Sequence, residues 1–187
     1  MAKIELNSAI RRIQGTIDNW VYRRNGDGVS IAKRPTFTKP PTPGQLAVRE
    51  KFRAAAAYAQ SVLLDAIQRP RYAAVAQRKG IRVSAFAVAD FLNPPEVVGI
   101  DISAYHGALG DLIKVRAVDD FEVTGVTVLL KDGENGIIQQ GAAVLTDGVW
   151  QYAATGGIAV GEHVVIEAIA TDRPGHTGSL SVAHVVA

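Results

Sequence analysis

The spacing of apolar residues changes once along the 187-residue chain. Between residues 43 and 92 apolar side chains recur every three or four positions, which predicts helices, whereas beyond residue 96 they alternate with polar ones, which predicts strands. A short alternating stretch and a proline-rich stretch precede the helical region. The pattern therefore predicts an α+β domain over residues 1–95, made of a β-hairpin plus helices, and an all-β domain over residues 96–187.

The alternating stretch near the N-terminus predicts a β-hairpin, preceded over residues 3–13 by a short strand or an irregular arm. Apolar and polar side chains alternate over residues 16–24, where Trp20 and Tyr22 share one face. The Asn-Gly pair that follows is the strongest short-range signal for a two-residue turn, because both residues tolerate positive φ. An isolated hairpin is only marginally stable in water. We therefore expect this one to lie on a helix, on the second domain or on another subunit.

A proline-rich strap and a capped helix follow the hairpin. Residues 35–43 contain four prolines, which exclude them from a central strand and predict an extended run. Thr42 is expected to be the N-cap of a helix, with Pro43 in the first position and Gln45 closing a capping box. The apolar stripe of this helix consists of residues at helical spacing, namely Val48, Phe52, Ala55, Ala59 and Val62.

Two further helices are predicted before the spacing changes. Pro70 is expected to end or kink the first helix just before it, because proline removes a helical hydrogen bond. A second helix is predicted over residues 71–79 with a glycine as its C-terminal stop, and a third over residues 83–92. An Asn-Pro-Pro sequence then ends the helical region, which places the predicted domain boundary between residues 95 and 96.

The region after residue 95 is predicted to form six or seven short strands, separated by turn signals such as Asp-Gly and Asn-Gly pairs. That many short strands within about 90 residues are typical of a β-sandwich. The clearest alternating segments are residues 113–117, 126–130, 137–138, 149–152, 164–168 and 180–186.

Two segments of this half, VRAVDDFEVTGVTVLL over residues 115–130 and IEAIATDRPGHTGSLSV over residues 166–182, resemble bacterial immunoglobulin-like domains. The Ala-Thr-Asp-x-x-Gly corner of those domains is matched at residues 170–175. The resemblance covers residues 96–187 and implies an immunoglobulin-like β-sandwich without a disulfide. Such domains serve as spacers, binding modules or assembly units, so the resemblance implies a fold more than a function.

The N-terminal half resembles uncharacterised bacterial proteins, some of them phage-like. The matching features are Gly15, Val21-Tyr22, Arg34-Pro35 and the PGQLAVREKF segment over residues 43–52. This resemblance implies a virion-like or filament-like structural protein and carries no biochemical activity with it.

The formal net charge of +2 conceals two halves of opposite sign. Residues 1–95 contain 16 Lys/Arg and 6 Asp/Glu, a net of +10, and residues 96–187 contain 4 Lys/Arg and 12 Asp/Glu, a net of −8. The two counts add up to the 20 basic and 18 acidic residues of the chain. Opposite charge on the two halves favours head-to-tail attraction between copies of the chain.

No pattern for catalysis stands out, and we predict that the protein is not an enzyme and uses no cofactor. The chain has no cysteine, which excludes disulfides, thiolate metal sites and a cysteine nucleophile. Its four histidines lack metal-ligand spacing, and neither a nucleophile elbow nor a Walker A sequence is present. Calcium at Asp119, Asp120 and Asp172 is an alternative, but their spacing supplies too few oxygens. Asp172 is expected to hold its corner by an Asx-type hydrogen bond instead.

Targeting features are also missing from the sequence. No stretch approaches the roughly 20 apolar residues that cross a bilayer, so no membrane span is expected. The N-terminal residues lack the uninterrupted apolar core of a secretory signal. We therefore expect the protein in the cytoplasm, or as part of a released virion-like or extracellular assembly.

These features predict a non-enzymatic structural subunit that assembles head to tail into a filament, tube or virion-like shell. The hairpin can add a strand to a neighbour's sheet, and contact between unlike surfaces generates rings or helical filaments. The candidate subunit-interface residues are Trp20, Tyr22, Arg23, Arg24, Lys33, Arg34, Phe37, Arg49, Arg53, Asp119 and Asp120. One alternative is an immunoglobulin-like binding or adhesion module for a surface protein or glycan. Another is nucleic-acid binding by the basic half, with cations on phosphates and aromatics stacked on bases.

Overall fold

The computed structural model describes residues 2–4, 14–25, 28–36 and 40–186. Within these residues the chain forms three helices and three antiparallel sheets. The helices are α1 (Pro43–Leu64), α2 (Gln68–Lys79) and α3 (Val83–Leu92). The strands before the helices are β1 (Ala2–Ile4), β2 (Gly15–Ile17), β3 (Trp20–Asn25) and β4 (Gly28–Lys33). The strands after the helices are β5 (Glu96–Ala104), β6 (Leu112–Val118), β7 (Val123–Lys131), β8 (Ile137–Ala142), β9 (Val144–Thr146), β10 (Val149–Ala153), β11 (His163–Asp172) and β12 (Thr177–Val185).

The chain divides into two compact units, Met1–Gln45 and Leu46–Ala187. The predicted boundary between residues 95 and 96 lies inside the second unit, which holds α2 and α3 together with β5 to β12. The helices of this unit contact the corner between β6 and β7, since the centre of the Phe121 ring lies 4.0 Å from the centre of the Tyr72 ring on α2. Independent folding of residues 96–187 stays a prediction.

The first unit contains one antiparallel sheet in the order β1-β4-β3-β2. Strands β3 and β4 pair from Trp20 with Lys33 to Asn25 with Gly28, which confirms the predicted hairpin. Asn25 thus lies in the strand, and the two residues between it and Gly28 lie outside the described residues. The predicted arm over residues 5–13 also lies outside them.

The first strand of the predicted hairpin is in fact two strands. Asp18 has a positive φ of 51°, which turns the chain between Ile17 and Trp20. Strand β2 consequently folds back on β3, with Gly15 opposite Tyr22. Alternation alone does not show this turn, because the Asp-Asn pair interrupts the pattern for only two residues.

Helix α1 begins at the predicted capping box. The backbone N–H of Gln45 donates to Thr42 Oγ1 at 3.3 Å, and the N–H of Thr42 donates to Gln45 Oε1 at 3.1 Å. Pro43 occupies the first helical position, where an N–H would have no partner within the helix. The prediction of this helix start is confirmed.

Helix α2 begins earlier than predicted. The Asp65 carboxylate accepts hydrogen bonds from the backbone N–H groups of Gln68 at 3.0 Å and Ile67 at 2.7 Å, and these bonds lower the pKa of Asp65. They hold the start of α2 at Gln68, while α1 already ends at Leu64. Pro70 therefore lies in the first turn of α2, where proline is tolerated.

The rest of the helical region follows the prediction. Helix α2 ends at Gly80, whose φ of 67° is left-handed, and α3 covers the predicted range of residues 83–92. The three helices form a small apolar core with the members Ala59, Val62, Tyr72, Ala76, Phe86 and Ala87. In the described part of the chain no helix is both long and apolar enough to cross a membrane.

The strands after the helices form two four-stranded antiparallel sheets, β5-β6-β10-β9 and β12-β11-β7-β8. Side chains from both sheets share one apolar core, as in a β-sandwich. Its members on the strands include Val97, Ile113, Val115, Val126, Val128, Leu130, Tyr152, Val164, Ile166, Ala168 and Ala170. Each of the six predicted segments lies on a strand, and only the last extends one residue beyond it.

Two strands of these sheets are absent from the sequence-based prediction. Strand β5 pairs with β6 through two register shifts, one between Val97 and Gly99 and one between Asp101 and Ala104. Its side chains therefore lack the regular alternation that indicates a strand. Strand β9 has only three residues, which is too short to give a pattern.

Candidate interaction surface

The sheet of the first unit gathers apolar side chains on one face. Directly opposed residues of an antiparallel pair lie on the same face of the sheet. The register opposes Ile17 with Trp20, Trp20 with Lys33 and Tyr22 with Ile31. We call Ile17, Trp20, Tyr22 and Ile31 the N-terminal face.

The N-terminal face is open to solvent at Ile17 and Trp20 and closed towards Val29, which lies on the same side of the sheet two residues before Ile31 and is buried. Ile17 is 59% exposed and Trp20 is 49% exposed, while Tyr22 and Ile31 are half-buried. Among the residues of the first unit whose side chains are described, Val29 is the single buried one. Exposed clusters of large apolar side chains mark interaction sites. This face is therefore the strongest candidate for a binding surface in the first unit.

Exposed cations accompany the N-terminal face. The predicted interface residues on this sheet and at its end are Trp20, Tyr22, Arg23, Arg24, Lys33 and Arg34. Lys33 lies directly opposite Trp20, and the N–H of Arg34 donates to the Asn19 carbonyl at 2.7 Å. The structure thus brings six predicted residues together on one small sheet, whereas Phe37 lies outside the described residues.

The part of α1 that lies in the second unit carries two more predicted interface residues in its first half, Arg49 and Arg53. Arg53 pairs with Glu50, and because both side chains are mostly exposed the pair contributes little to stability. The predicted apolar stripe is open in this half, where Val48 and Phe52 are more than half exposed. Only its C-terminal half enters the helical core.

The remaining predicted interface residues, Asp119 and Asp120, are engaged within the second unit. Asp120 accepts hydrogen bonds from Asn93 Nδ2 at 2.7 Å and Lys79 Nζ at 3.2 Å, and both lower the pKa of its carboxyl group. Asp119 Oδ2 accepts from the backbone N–H groups of Phe121 and Glu122. Both carboxylates therefore stabilise the corner between β6 and β7.

Part of the predicted charge difference is neutralised inside the second unit. Arg71 on α2 donates to the Glu122 carboxylate at 2.8 Å, and Arg173 donates to the same carboxylate at 3.0 Å. Such half-exposed pairs are individually weak, but Arg71 brings a cation of the helical region to an acidic residue at the corner between β6 and β7. The first unit keeps its own excess, since Met1–Gln45 contains 8 Lys/Arg and 3 Asp/Glu, a net of +5.

A buried chain of hydroxyl and carboxyl groups in the helical core is absent from the sequence-based prediction. The hydroxyls of Tyr58 and Tyr72 lie 2.8 Å apart, and Tyr72 donates to Asp90 Oδ2 at 2.6 Å. Asp90 is fully buried, and its Oδ1 has no hydrogen-bond partner among the described residues. Burial raises the pKa of Asp90 to about 6. One aspartate in a helical segment is equally compatible with an exposed face, so the sequence carries no signal for this group.

The corner between β11 and β12 is held by Asp172, as predicted. Its Oδ1 accepts hydrogen bonds from the backbone N–H groups of Gly175 at 2.7 Å and His176 at 2.6 Å, which is the Asx-type pattern. In the part of the chain that the structure describes, no group of three or more His, Asp or Glu side chains is arranged to hold a metal ion.

No family model matches the chain, and no curated protein matches it. Several solved structures match about half of it. CopC from Methylosinus trichosporium OB3b is 21% identical over 49% of this chain and 91% of its own, with a TM-score of 0.37. A tetra-tandem repeat in the extending region of a large adhesion protein is 22% identical over 50% of this chain and 23% of its own, with a TM-score of 0.34. Scores this low carry no conclusion about fold or activity, and membership of either half in a known family stays a prediction.

Proposed function

We propose that the protein is a non-enzymatic structural subunit that associates head to tail with copies of itself. The N-terminal face provides one side of the contact, and residues 96–187 form an immunoglobulin-like sandwich that is the body of the subunit. Because the two contacting surfaces differ, the association continues into a filament, tube or virion-like shell instead of stopping at a dimer.

The observation that carries the proposal is the exposure of the N-terminal face. Ile17 and Trp20 are about half exposed although they lie side by side on a sheet. Covering apolar surface is favourable by about 25 cal/mol per Å². Tryptophan is also among the residues that most often dominate the binding energy of an interface. A second subunit over this face gives the sheet the apolar layer that a small sheet needs for stability.

The charge layout supports the same orientation. The first unit has a net charge of +5, whereas residues 96–187 have a net charge of −8. Attraction between these surfaces on different copies speeds their encounter and disfavours contact between like surfaces.

The test is sedimentation velocity of the Trp20→Ala variant beside the wild-type chain. We expect the apparent Kd of association to rise at least about tenfold, because a central tryptophan is typically worth more than 1.4 kcal/mol. The matched control is Leu109→Ala, since Leu109 is 73% exposed but lies in a turn outside the N-terminal face. Far-UV circular dichroism checks that both variants are folded.

Three results decide the matter. Weakened association in Trp20→Ala together with unchanged association in Leu109→Ala supports the proposal. Equal association of Trp20→Ala and the wild-type chain contradicts it. A wild-type chain that stays monomeric but binds oligonucleotides in a strongly salt-dependent way also contradicts it, and favours phosphate contacts by the cations around Trp20.

A further inference from the structure

The two sheets of the second unit end together on one side. Strand β8 is the edge of one sheet and β9 is the edge of the other. Only Ala143 separates them in sequence, and its N–H donates to the Val126 carbonyl at 2.8 Å. The chain therefore passes from one sheet to the other at this residue. We call residues 137–146 the acceptor edge.

The acceptor edge is apolar and exposed. Its sequence, IIQQGAAVLT, contains no charged residue and no proline. Four of its large side chains are between 45% and 68% exposed, namely Ile137, Ile138, Val144 and Leu145. Natural sheets protect their edges with lysine, proline or bulges, because an open edge offers unpaired N–H and C=O groups to another chain. The acceptor edge has neither lysine nor proline, and its pairing with β7 has one register shift, between Leu130 and Lys131, at the Ile137 end.

The opposite side of the two sheets is protected. Strand β5 begins after Pro95, carries Glu96 and Asp101, and contains two register shifts. Its start also lies against β12, because a side chain added at Gly178 would meet the Pro95 carbonyl oxygen at 1.8 Å. The side formed by β8 and β9 carries four exposed large apolar side chains, whereas the opposite edge strands β5 and β12 carry one each, Val98 and Val185, among the strands described here.

Residues Tyr152 and Thr155 of the same unit fix the position of the acceptor edge. Gln139 Oε1 accepts hydrogen bonds from the backbone N–H of Thr155 at 2.7 Å, from its hydroxyl at 3.1 Å and from the Tyr152 hydroxyl at 3.3 Å. The Tyr152 ring fills the space where a side chain at Gly141 would lie, with Cε2 at 2.7 Å from it. A surface fixed in this way loses little conformational freedom on binding.

The charges around the acceptor edge indicate which kind of surface it binds. Residues 132–147, which contain the acceptor edge and both flanking turns, have three acidic residues (Asp132, Glu134 and Asp147) and no Lys or Arg. Two acceptor edges brought together repel each other. Residues 14–36 have four basic and two acidic residues, and they carry the N-terminal face. The N-terminal face of another copy therefore matches the acceptor edge in both polarity and charge.

We propose that the acceptor edge binds the N-terminal face of a second copy of the chain. This inference rests on the proposed self-association and names the surface that receives the N-terminal face. Apolar side chains around Trp20 cover Ile138, Val144 and Leu145, and the surrounding cations lie near the acidic turns. Every subunit then has one donor surface and one acceptor surface, which gives an open chain of subunits.

The experiment uses Val144→Lys as the acceptor variant, because it places a positive charge within the apolar contact and opposite a basic partner. Trp20→Ala is the donor variant, and Lys33→Glu is a second donor variant that leaves the apolar side chains in place. The matched control is Val98→Lys on β5, since Val98 is 46% exposed at the opposite edge of the same sheet. Full-length chains are compared by sedimentation velocity.

The decisive sample is a mixture of the donor and acceptor variants. Each variant alone is expected to associate at least about tenfold more weakly than the wild-type chain, but each keeps one intact surface. Mixed in equal amounts, they are expected to form a 1:1 complex that grows no further. Val98→Lys alone is expected to associate like the wild-type chain.

The outcomes separate this inference from the proposed function. If the wild-type chain and Val144→Lys associate equally while Trp20→Ala does not, the acceptor edge is wrong and self-association stands. If Val144→Lys is monomeric but Trp20→Ala still forms dimers, two acceptor edges pair with each other, and the inference is also wrong. A monomeric wild-type chain overturns the proposed function itself, and this result includes the case in which the N-terminal face is covered within its own chain.

Discussion

Asp90 lies in a helix of mostly apolar residues and is fully buried, and its Oδ1 has no hydrogen-bond partner within the described ranges of the chain. Burial raises its pKa to about 6, above the value of about 3.9 for an exposed aspartate. The stabilisation from a protonated Asp90 is therefore fully present below about pH 4 and is lost as the pH rises through about 6. The difference between the two pKa values corresponds to about 3 kcal/mol of unfolding free energy.

Asp90→Asn is expected to remove the cost of burying a charged carboxylate at neutral pH, because an amide oxygen still accepts the Tyr72 hydrogen bond without carrying a charge. In urea unfolding, the stability of Asp90→Asn relative to the wild-type chain is expected to rise by about 2.5 kcal/mol between pH 4 and pH 7.5. Asp101→Asn is the control, because a hydrogen bond from the Ser103 N–H lowers the pKa of Asp101. Between pH 4 and pH 7.5, the stability of Asp101→Asn relative to the wild-type chain is expected to fall. If the unfolding free energies of Asp90→Asn and the wild-type chain depend on pH in the same way, the raised pKa of Asp90 is wrong.

Gly178 decides how closely β12 approaches the start of β5. A Cβ atom there would lie 1.8 Å from the Pro95 carbonyl oxygen, which is backbone and cannot rotate away. Gly178→Ala is therefore expected to destabilise the chain by about 3 kcal/mol, at the upper end of overpacking costs. Gly125→Ala on β7 is the control, because nothing lies within 4 Å of the added atom. Chemical denaturation of both variants measures the difference, and equal midpoints contradict the close approach.

Some single residues are predictable from sequence and others are not. The roles of Thr42 and Asp172 depend on neighbours within a few residues, so their hydrogen bonds follow from local sequence. Asp90 and Asp120 depend on partners 18 and 27 residues away, which local sequence does not contain. Local sequence does not show that Asp120 accepts hydrogen bonds from Lys79 and Asn93, and its role at a subunit interface stays a prediction.

At the scale of elements, regular spacing is what made a segment predictable. Helix α3 and the strands with clean alternation lie where the sequence places them, because one face of each enters a core. Strand β5 is irregular, β9 is too short, and the start of α2 depends on the Asp65 carboxylate. Within the acceptor edge, the sequence predicts a strand only at residues 137–138. The edge is exposed because β8 and β9 are the outermost strands of their sheets, and residue spacing does not predict strand order.

The start of α1 provides a test at this scale. Thr42→Ala removes the hydrogen bond to the Gln45 N–H, and loss of such a cap typically costs about 1 kcal/mol. Amide hydrogen exchange at Gln45 is therefore expected to become roughly fivefold faster. Ser84→Ala near the start of α3 is the control, because α3 has no side-chain cap. Unchanged exchange at Gln45 contradicts a stabilising role for the capping box.

At the scale of the molecule, some basic residues pair with acidic residues of the second unit, while the first unit has a net positive charge. Two cations of helix α2, Arg71 and Lys79, form ion pairs with Glu122 and Asp120 in the same unit. The first unit keeps a net of +5 beside the open N-terminal face. The net charge of each half follows from the sequence by count, whereas the ion pairs of Arg71 and Lys79 with residues beyond position 95 depend on the three-dimensional contacts.

The most direct measurement for the central claim is the molar mass of the wild-type chain by light scattering. It is taken from about 1 to about 100 µM protein, at about 50 mM and about 500 mM NaCl, which brackets strong and weak screening. We predict a mass that rises beyond a dimer with concentration and is lower at high salt. A mass of 19.9 kDa, that of one chain, at every concentration in both salts contradicts the account.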